Sequence, residues 1–226
     1  GTWRGLMDRT ATPLFTRRTL WLLVLSAALL TFTSLGLATA LWWLGWARSD
    51  GSQEGVVELN AQPAPDFTLI DQNERPVQLS ELRGKVVVLT FLYTSCPDIC
   101  PLTAQKLATA FDLLEPSRQR EVAILAVTVD PEQDTPARLR QYLDANGLSG
   151  KLTFLTGDRA TLERVWSSYG IGVMKQPQPD NPKVYTVGHT TVTYIIDKEG
   201  RQRLLLRDEE IVPQSLAERL AGLIEE

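Results

Sequence analysis

Three regimes of hydrophobic patterning follow one another along the chain. Residues 19–47, TLWLLVLSAALLTFTSLGLATALWWLGWA, contain no charged side chain and are flanked by Arg17, Arg18 and Arg48. Such a run is long enough to cross a bilayer as one tilted helix. Residues 49–65 are polar and punctuated by Gly and Pro, the composition of a tether. Beyond them, short apolar runs alternate with amphipathic ones. Residues 67–79 read as strand, turn and strand around DQNERP, and KVVVLTFLY at 85–93 is a continuous β-rich apolar run, the pattern of a strand buried on both faces.

The alternation continues to the C-terminus. A helix is expected from about Pro97 to Leu114, a second buried strand at 122–130, and a helix from the DTPARL capping signal to Asn146-Gly147. A short strand at 152–155, the helix DRATLERVWSSYG, a proline-rich loop, the strand TVTYIID, a turn at 198–200, the strand RQRLLLR and a helix from Pro213 complete it. Strands alternating with helices predict an α/β sheet covered on both faces. The expected organisation is a tail at 1–18, a transmembrane helix at 19–47, a linker at 48–62 and one domain at 63–226.

A cleaved signal peptide is the alternative for the N-terminal run, since Ala38-Thr39-Ala40 suits a cleavage site. Trp42, Trp43 and Trp46 lie beyond that site and read as an aromatic belt at the far interface, which favours an anchor. Arg4, Arg9, Arg17 and Arg18, opposed by Asp8, place the tail in the cytoplasm and make a single-pass protein with an extracytoplasmic C-terminal domain. Taking the five arginines and one aspartate of residues 1–48 from the chain's 23 basic and 27 acidic residues leaves 18 and 26, a net charge of −8. That surface argues against nucleic acid and suits a basic partner such as a soluble cytochrome.

Candidate chemistry gathers in FLYTSCPDICP, residues 91–101, which holds both cysteines of the chain, Cys96 and Cys100. They fall where the first buried strand meets its helix, at the strand's carboxyl end, where open α/β sheets place ligands. With Pro97 opening the helix, the two sulfurs would lie one turn apart within its first turn, both pushed towards thiolate by the helix N-terminus. Such a pair suits a soft metal or a reversible disulfide. A purely stabilising disulfide is the plainer reading, but so small a loop contributes little chain entropy. The one histidine, His189, precedes the penultimate strand, and if that strand lies near the first buried one, His189 meets the cysteine loop. Two sulfurs and one imidazole are too few for structural zinc and suit copper.

YTSCPDICP, then VTVDPEQDTPARLRQYL, then VGHTTVTYIID resemble the Sco/SenC proteins, membrane-tethered thioredoxin-like copper proteins that serve the binuclear copper site of cytochrome c oxidase. The resemblance runs over residues 63–211 and includes the single N-terminal anchor. It implies a thioredoxin-like fold, Cys96, Cys100 and His189 as copper ligands, a redox-active Cys96–Cys100 disulfide, and a metallochaperone rather than an enzyme. Its implied partner is the copper subunit of cytochrome c oxidase or another membrane electron-transport complex. Asp130 and Asp134 match the family's D-P-x-x-D-T-P stretch and either help the site or turn the strand and cap the helix, the second being the expected role. Gly188 departs from the family's usual Asp before the histidine, which bears on how the imidazole is oriented.

Three other functions fit the sequence less well. A thiol–disulfide oxidoreductase would space its cysteines by two and carry a cis-proline where this chain has Thr190 and Thr191; a peroxiredoxin would carry Thr where this chain has Tyr93. A resident accessory subunit of an electron-transport complex is a third reading. Met174, in the loop before His189, is expected to pack rather than to bind copper.

Overall fold

The computed structural model describes residues 21, 22, 25, 26, 29–31, 33, 35–40 and 56–226. The chain divides into two units, Gly1–Ser52 and Gln53–Glu226. The described residues of the first unit are helical. No helix among the described residues is long and apolar enough to cross a membrane. The tail at 1–18, much of the expected span at 19–47 and residues 48–55 of the linker lie outside the described residues.

The second unit is built on an eight-stranded mixed sheet. Its strands are β1 (Val56–Glu58), β2 (Thr68–Asp71), β3 (Pro76–Gln78), β4 (Val86–Leu92), β5 (Val122–Thr128), β6 (Leu152–Thr156), β9 (Val192–Ile196) and β10 (Gln202–Arg207). They lie in the order β1-β10-β9-β4-β5-β6-β2-β3. Strands β4, β5 and β6 run parallel at the centre, and β9 closes antiparallel on β4. All seven residues of β4 are buried, as a strand covered on both faces requires. Cover comes from helices α1 (Ile99–Asp112), α2 (Pro116–Gln119), α3 (Pro136–Ala145), α4 (Arg159–Ser168) and α5 (Pro213–Glu225). Helices α1 and α5 pack together, α5 also against β4, and α3 packs against β6.

Local chemistry explains where the helices begin and end. Thr135 Oγ1 accepts from the Arg138 N–H and Pro136 opens α3; the Asp158 carboxylate caps α4 through the Thr161 N–H. Helix α3 stops at Gly147, whose φ of +65° lets the Leu148 N–H return to the Leu143 carbonyl and the Gly147 N–H to Asp144. Trp166 Nε1 donates to the Thr128 carbonyl and so ties α4 to the end of β5.

Two expected segments are structured differently. Within the stretch read as a tether, Val56–Glu58 pairs antiparallel with β10 as an edge strand, and the Gln202 N–H donates to the Gln62 carbonyl. The proline-rich stretch expected as a loop is a β-hairpin, β7 (Val173–Gln178) and β8 (Asn181–His189), forming a separate two-stranded sheet that ends on His189. Its prolines and polar tip obscured a period-2 pattern that only one half-buried face of the hairpin needs.

Phe91 is fully buried in β4 with its ring 5.9 Å from that of Tyr169. Phe91→Ala is expected to cost about 3–5 kcal/mol through lost burial and the cavity left behind, read as a lower urea midpoint at unchanged slope.

Candidate metal centre

Strand β4 leaves the sheet at Leu92 and delivers Tyr93, Thr94 and Ser95 to Cys96. This short loop is held by the buried Asp134. Its carboxylate accepts from the Thr94 backbone N–H at 3.2 and 3.3 Å, the Thr94 hydroxyl at 2.5 Å and the Thr128 hydroxyl at 2.6 Å. Burial pushes the Asp134 carboxyl above its ordinary range, against the pull of those donors. Asp134 therefore does not cap α3, which is Thr135's role; it reaches back to fix the cysteine loop. Asp130 does turn the strand, its backbone carbonyl accepting from the Gln133 N–H at 3.1 Å and the Asp134 N–H at 2.9 Å, while its fully buried carboxylate reaches the hairpin and accepts from the Tyr185 hydroxyl at 2.9 Å.

The helix starts later than Pro97: α1 begins at Ile99, and Asp98 at its N-cap makes no side-chain cap hydrogen bond. Cys96 thus lies ahead of the helix and Cys100 is its second residue. The Cys96 sulfur takes the place of a cap, accepting the Cys100 N–H at 3.4 Å. Both cysteines are free, Cys96 half-buried and Cys100 fully buried.

The thiols are not equivalent, which corrects the expectation of two activated thiolates. The hydrogen bond from the Cys100 thiol, with the backbone N–H groups of Asp98 and Cys100 and the Tyr93 hydroxyl, lowers Cys96 to about 5 despite partial burial. Cys100 is pushed far up, first by its hydrogen bond to the Cys96 sulfur and then by burial. Two thiolates side by side in a buried site would repel, so one proton stays. Tyr93 is raised to about 12 by burial and by the Cys96 charge.

His189, at the end of β8, completes the group. Its Nε2 lies 3.7 Å from Cys100 Sγ, and its Nδ1 lies 2.9 Å from the Thr190 carbonyl oxygen. A carbonyl can only accept, so Nδ1 carries the proton and the Nε2 lone pair faces the cysteines. Burial lowers the pKa of the ring, keeping it neutral. Tyr93 stands edge-on to the imidazole, ring centroids 5.9 Å apart.

The Thr190 carbonyl supplies the orientation for which Gly188 offers no carboxylate. A Cβ at Gly188 would meet only Gln176 Nε2 at 3.7 Å and the Met174 carbonyl at 3.8 Å, on the face opposite His189. Met174 shares that opposite face and is 64% exposed, so it neither packs as expected nor turns towards the thiols. Among the described residues, no group of three or more His, Cys, Asp or Glu is already set to hold a metal ion. The donor spacing is nevertheless suitable. Bonds of about 2.3 Å to sulfur and about 2.0 Å to nitrogen, typical of a first-row ion, opened to about 120° separate the two donors by about 3.7 Å.

The sequence reading brought Cys96, Cys100 and His189 to one place, and so does the structure. It missed Tyr93 and Thr94 as partners of the site, although both immediately precede the cysteines. It also missed Asp208, a fully buried carboxyl raised to about 7 by burial, whose field acts on Cys100 from the far end of β10. Only its place in a charged DEE run marks Asp208 in the sequence, and that run reads as surface.

A dithiol and a histidine at the carboxyl edge of the central strand, on this mixed sheet, define a thioredoxin-like domain of the Sco type. The chain belongs to the SCO1/SenC family, whose family model matches residues 57–225. It is 31% identical over 149 residues to an SCO2-like protein of Rickettsia felis, covering 66% of this chain and 71% of that one. The structure of Bradyrhizobium japonicum ScoI with copper bound superposes with a TM-score of 0.64 at 31% identity, over 71% of this chain and 99% of that chain. BsSco, described as a member of the Sco family of cytochrome c oxidase assembly proteins with a disulfide switch, superposes with a TM-score of 0.60 at 25% identity, over 75% and 96%.

Because the thiolate is the nucleophile, alkylation by iodoacetamide should modify Cys96 and spare Cys100. Its rate should rise through a midpoint near pH 5 and then level, following the Cys96 thiolate. A midpoint in the ordinary thiol range would show that the neighbouring donors do not stabilise that charge.

Proposed function

We propose that this chain is a membrane-tethered copper-binding protein that delivers copper to, or maintains the thiols of, the binuclear copper site of a respiratory oxidase. The observation that carries the reading is the convergence of three soft or borderline donors, two sulfurs and one imidazole nitrogen, on one place. The Cys100 thiol gives its proton to a hydrogen bond with the Cys96 sulfur, and the Cys100 sulfur lies 3.7 Å from His189 Nε2. A copper ion replacing that proton would meet Cys96, Cys100 and His189, a set suited to Cu(I) through sulfur and to Cu(II) through the added nitrogen. Cys96, on a loop ahead of the helix, is the donor free to adjust. Copper in the Bradyrhizobium ScoI structure and the oxidase-assembly description of BsSco support the reading.

The same atoms favour a second capacity. A low-pKa thiolate beside a protonated thiol is the asymmetric pair that thiol–disulfide exchange uses, Cys96 attacking and Cys100 resolving. Keeping a recipient's cysteines reduced is therefore chemistry the site can perform between copper loads.

The membrane tether is part of the proposal. Trp21, Leu22, Leu25, Leu29, Leu30, Leu35 and Leu37 are helical and each more than 60% exposed, so apolar side chains face outward as they would towards lipid. With the tail cytoplasmic, the acidic domain stands on the far side, where a basic soluble cytochrome and the oxidase copper subunit are reachable. A membrane-impermeant maleimide should label Ser52→Cys in intact cells; labelling only after lysis would reverse the topology.

His189→Ala removes the nitrogen and leaves two sulfurs, which still hold Cu(I). Cu(II) affinity of the full-length protein should fall by more than the roughly 10- to 100-fold that loss of a ligand's outer partner costs, and Cu(I) affinity should fall less. Equal Cu(II) affinity at matched stability would remove the three-ligand site. Stoichiometric copurification with a solubilised complex, with metal content unaffected by the change, would then favour a resident accessory subunit.

A further inference from the structure

His189 is carried by an element that the main sheet does not hold. Strands β7 and β8 pair only with each other, and most of β7 is exposed. At the neck, the Thr190 N–H donates to the Gly172 carbonyl at 3.1 Å and the Gly172 N–H to Thr190 Oγ1 at 3.0 Å. Those bonds fix where the hairpin begins but leave its tilt open, because both lie at one end.

A second attachment lies further along. By the period of two, Tyr185, Val187 and His189 share one face of β8, and their partners across the hairpin place Lys175 on that face. The contacts agree: Val187 is buried, His189 meets Cys100, and the Tyr185 hydroxyl donates to Asp130 Oδ1 at 2.9 Å. Lys175 Nζ stands 3.3 Å from the same oxygen, 2.9 Å from Glu132 and 4.3 Å from the centre of the Tyr185 ring. Asp130 is fully buried, and its Oδ2 has no hydrogen-bond partner among the described residues. Its charge is therefore balanced at one oxygen, by two side chains of the hairpin. Separating them would leave a buried charge without a partner, a strongly unfavourable state. Four residues of strand, about 13 Å, separate this attachment from His189, and between them the Val187 N–H donates to the Tyr93 hydroxyl at 3.4 Å, so these attachments together set the angle of the face that carries the ring.

We propose that Lys175 and Tyr185 are positioning residues that latch the hairpin onto Asp130 and thereby hold His189 Nε2 against Cys100. The consequence for copper rests on the reading of His189 as a ligand; the positioning does not. Three variants separate the contributions: Tyr185→Phe keeps the ring without the hydroxyl, Lys175→Met keeps the stem without the charge, and Lys175→Arg keeps the charge.

The test uses untagged full-length protein in detergent with 15N-labelled histidine, so that every imidazole signal comes from His189, the one histidine of the chain. In the parent, Cys100→Ser should shift the Nε2 resonance. In the Lys175→Met/Tyr185→Phe double variant that response should disappear, and amide exchange in β7 and β8 should quicken by about tenfold or more while β4 and β5 keep their protection. Cu(II) affinity should fall by roughly 10- to 100-fold, and Lys175→Arg should stay near the parent. If the double variant is globally destabilised, Tyr185→Phe alone should give the same changes in smaller measure.

An unchanged Nε2 response and unchanged hairpin exchange would overturn the latch, even if His189→Ala abolishes Cu(II) binding. Loss of the response in the double variant, together with Cu(II) affinity indifferent to His189→Ala, would uphold the latch while removing the copper site.

Discussion

The proton on Cys100 organises this site. Cys100 is buried at the start of α1 beside a second sulfur, and losing its proton would place two negative sulfurs together away from water. Retaining it lets Cys96 carry the negative charge, where the first N–H groups of α1 and the Tyr93 hydroxyl can stabilise it. The His189 lone pair then finds a sulfur opposite it rather than a carbonyl or water. The result is an asymmetric group: one reactive sulfur, one guarded sulfur and one neutral imidazole gathered in one place, which is what the proposed copper binding and thiol exchange would both draw on.

Each donor reaches that position on a different kind of support. Cys100 rides a helix packed against α5, so its place is rigid. Cys96 sits on a loop pinned by Asp134 through Thr94, and Arg138 reaches the same Thr94 hydroxyl from α3 at 2.8 Å. His189 comes on a hairpin that lies outside the main sheet. The gradation from helix to loop to hairpin would suit the uptake and release proposed for this site, since a fully rigid cage would favour retention. Asp130 and Asp134, four residues apart at the end of β5, serve the two less rigid supports, one carboxylate for the hairpin and the other for the cysteine loop.

The SCO1/SenC family model spans residues 57–225 and so takes in every element that carries this site. At position 188 a glycine stands where a Cβ would make ordinary van der Waals contacts, and the His189 tautomer is set by the neighbouring Thr190 carbonyl. Orientation by the backbone makes that histidine independent of any acidic side chain on its own strand.

The cysteine spacing, the buried runs that become β4 and β5, the capped start and glycine stop of α3, and the lone histidine were all legible in the chain, because each is a local rule of period, capping or ligand type. The Sco resemblance was legible in the three segments around Cys96, Asp130 and His189. The inequality of the two thiols was not, since it arises when burial and a neighbouring sulfur act on one residue and not the other. Nor were the distant partners of the two aspartates, Thr94 for Asp134 and Tyr185 for Asp130, 40 and 55 residues away along the chain. The proline-rich segment gave no sign of being a hairpin, because one face of it gains its burial and hydrogen bonds from Tyr93 and Asp130 on other elements. Local pattern settles which residues can bind a soft metal; the sheet order, by bringing β9 beside β4, decides that they meet.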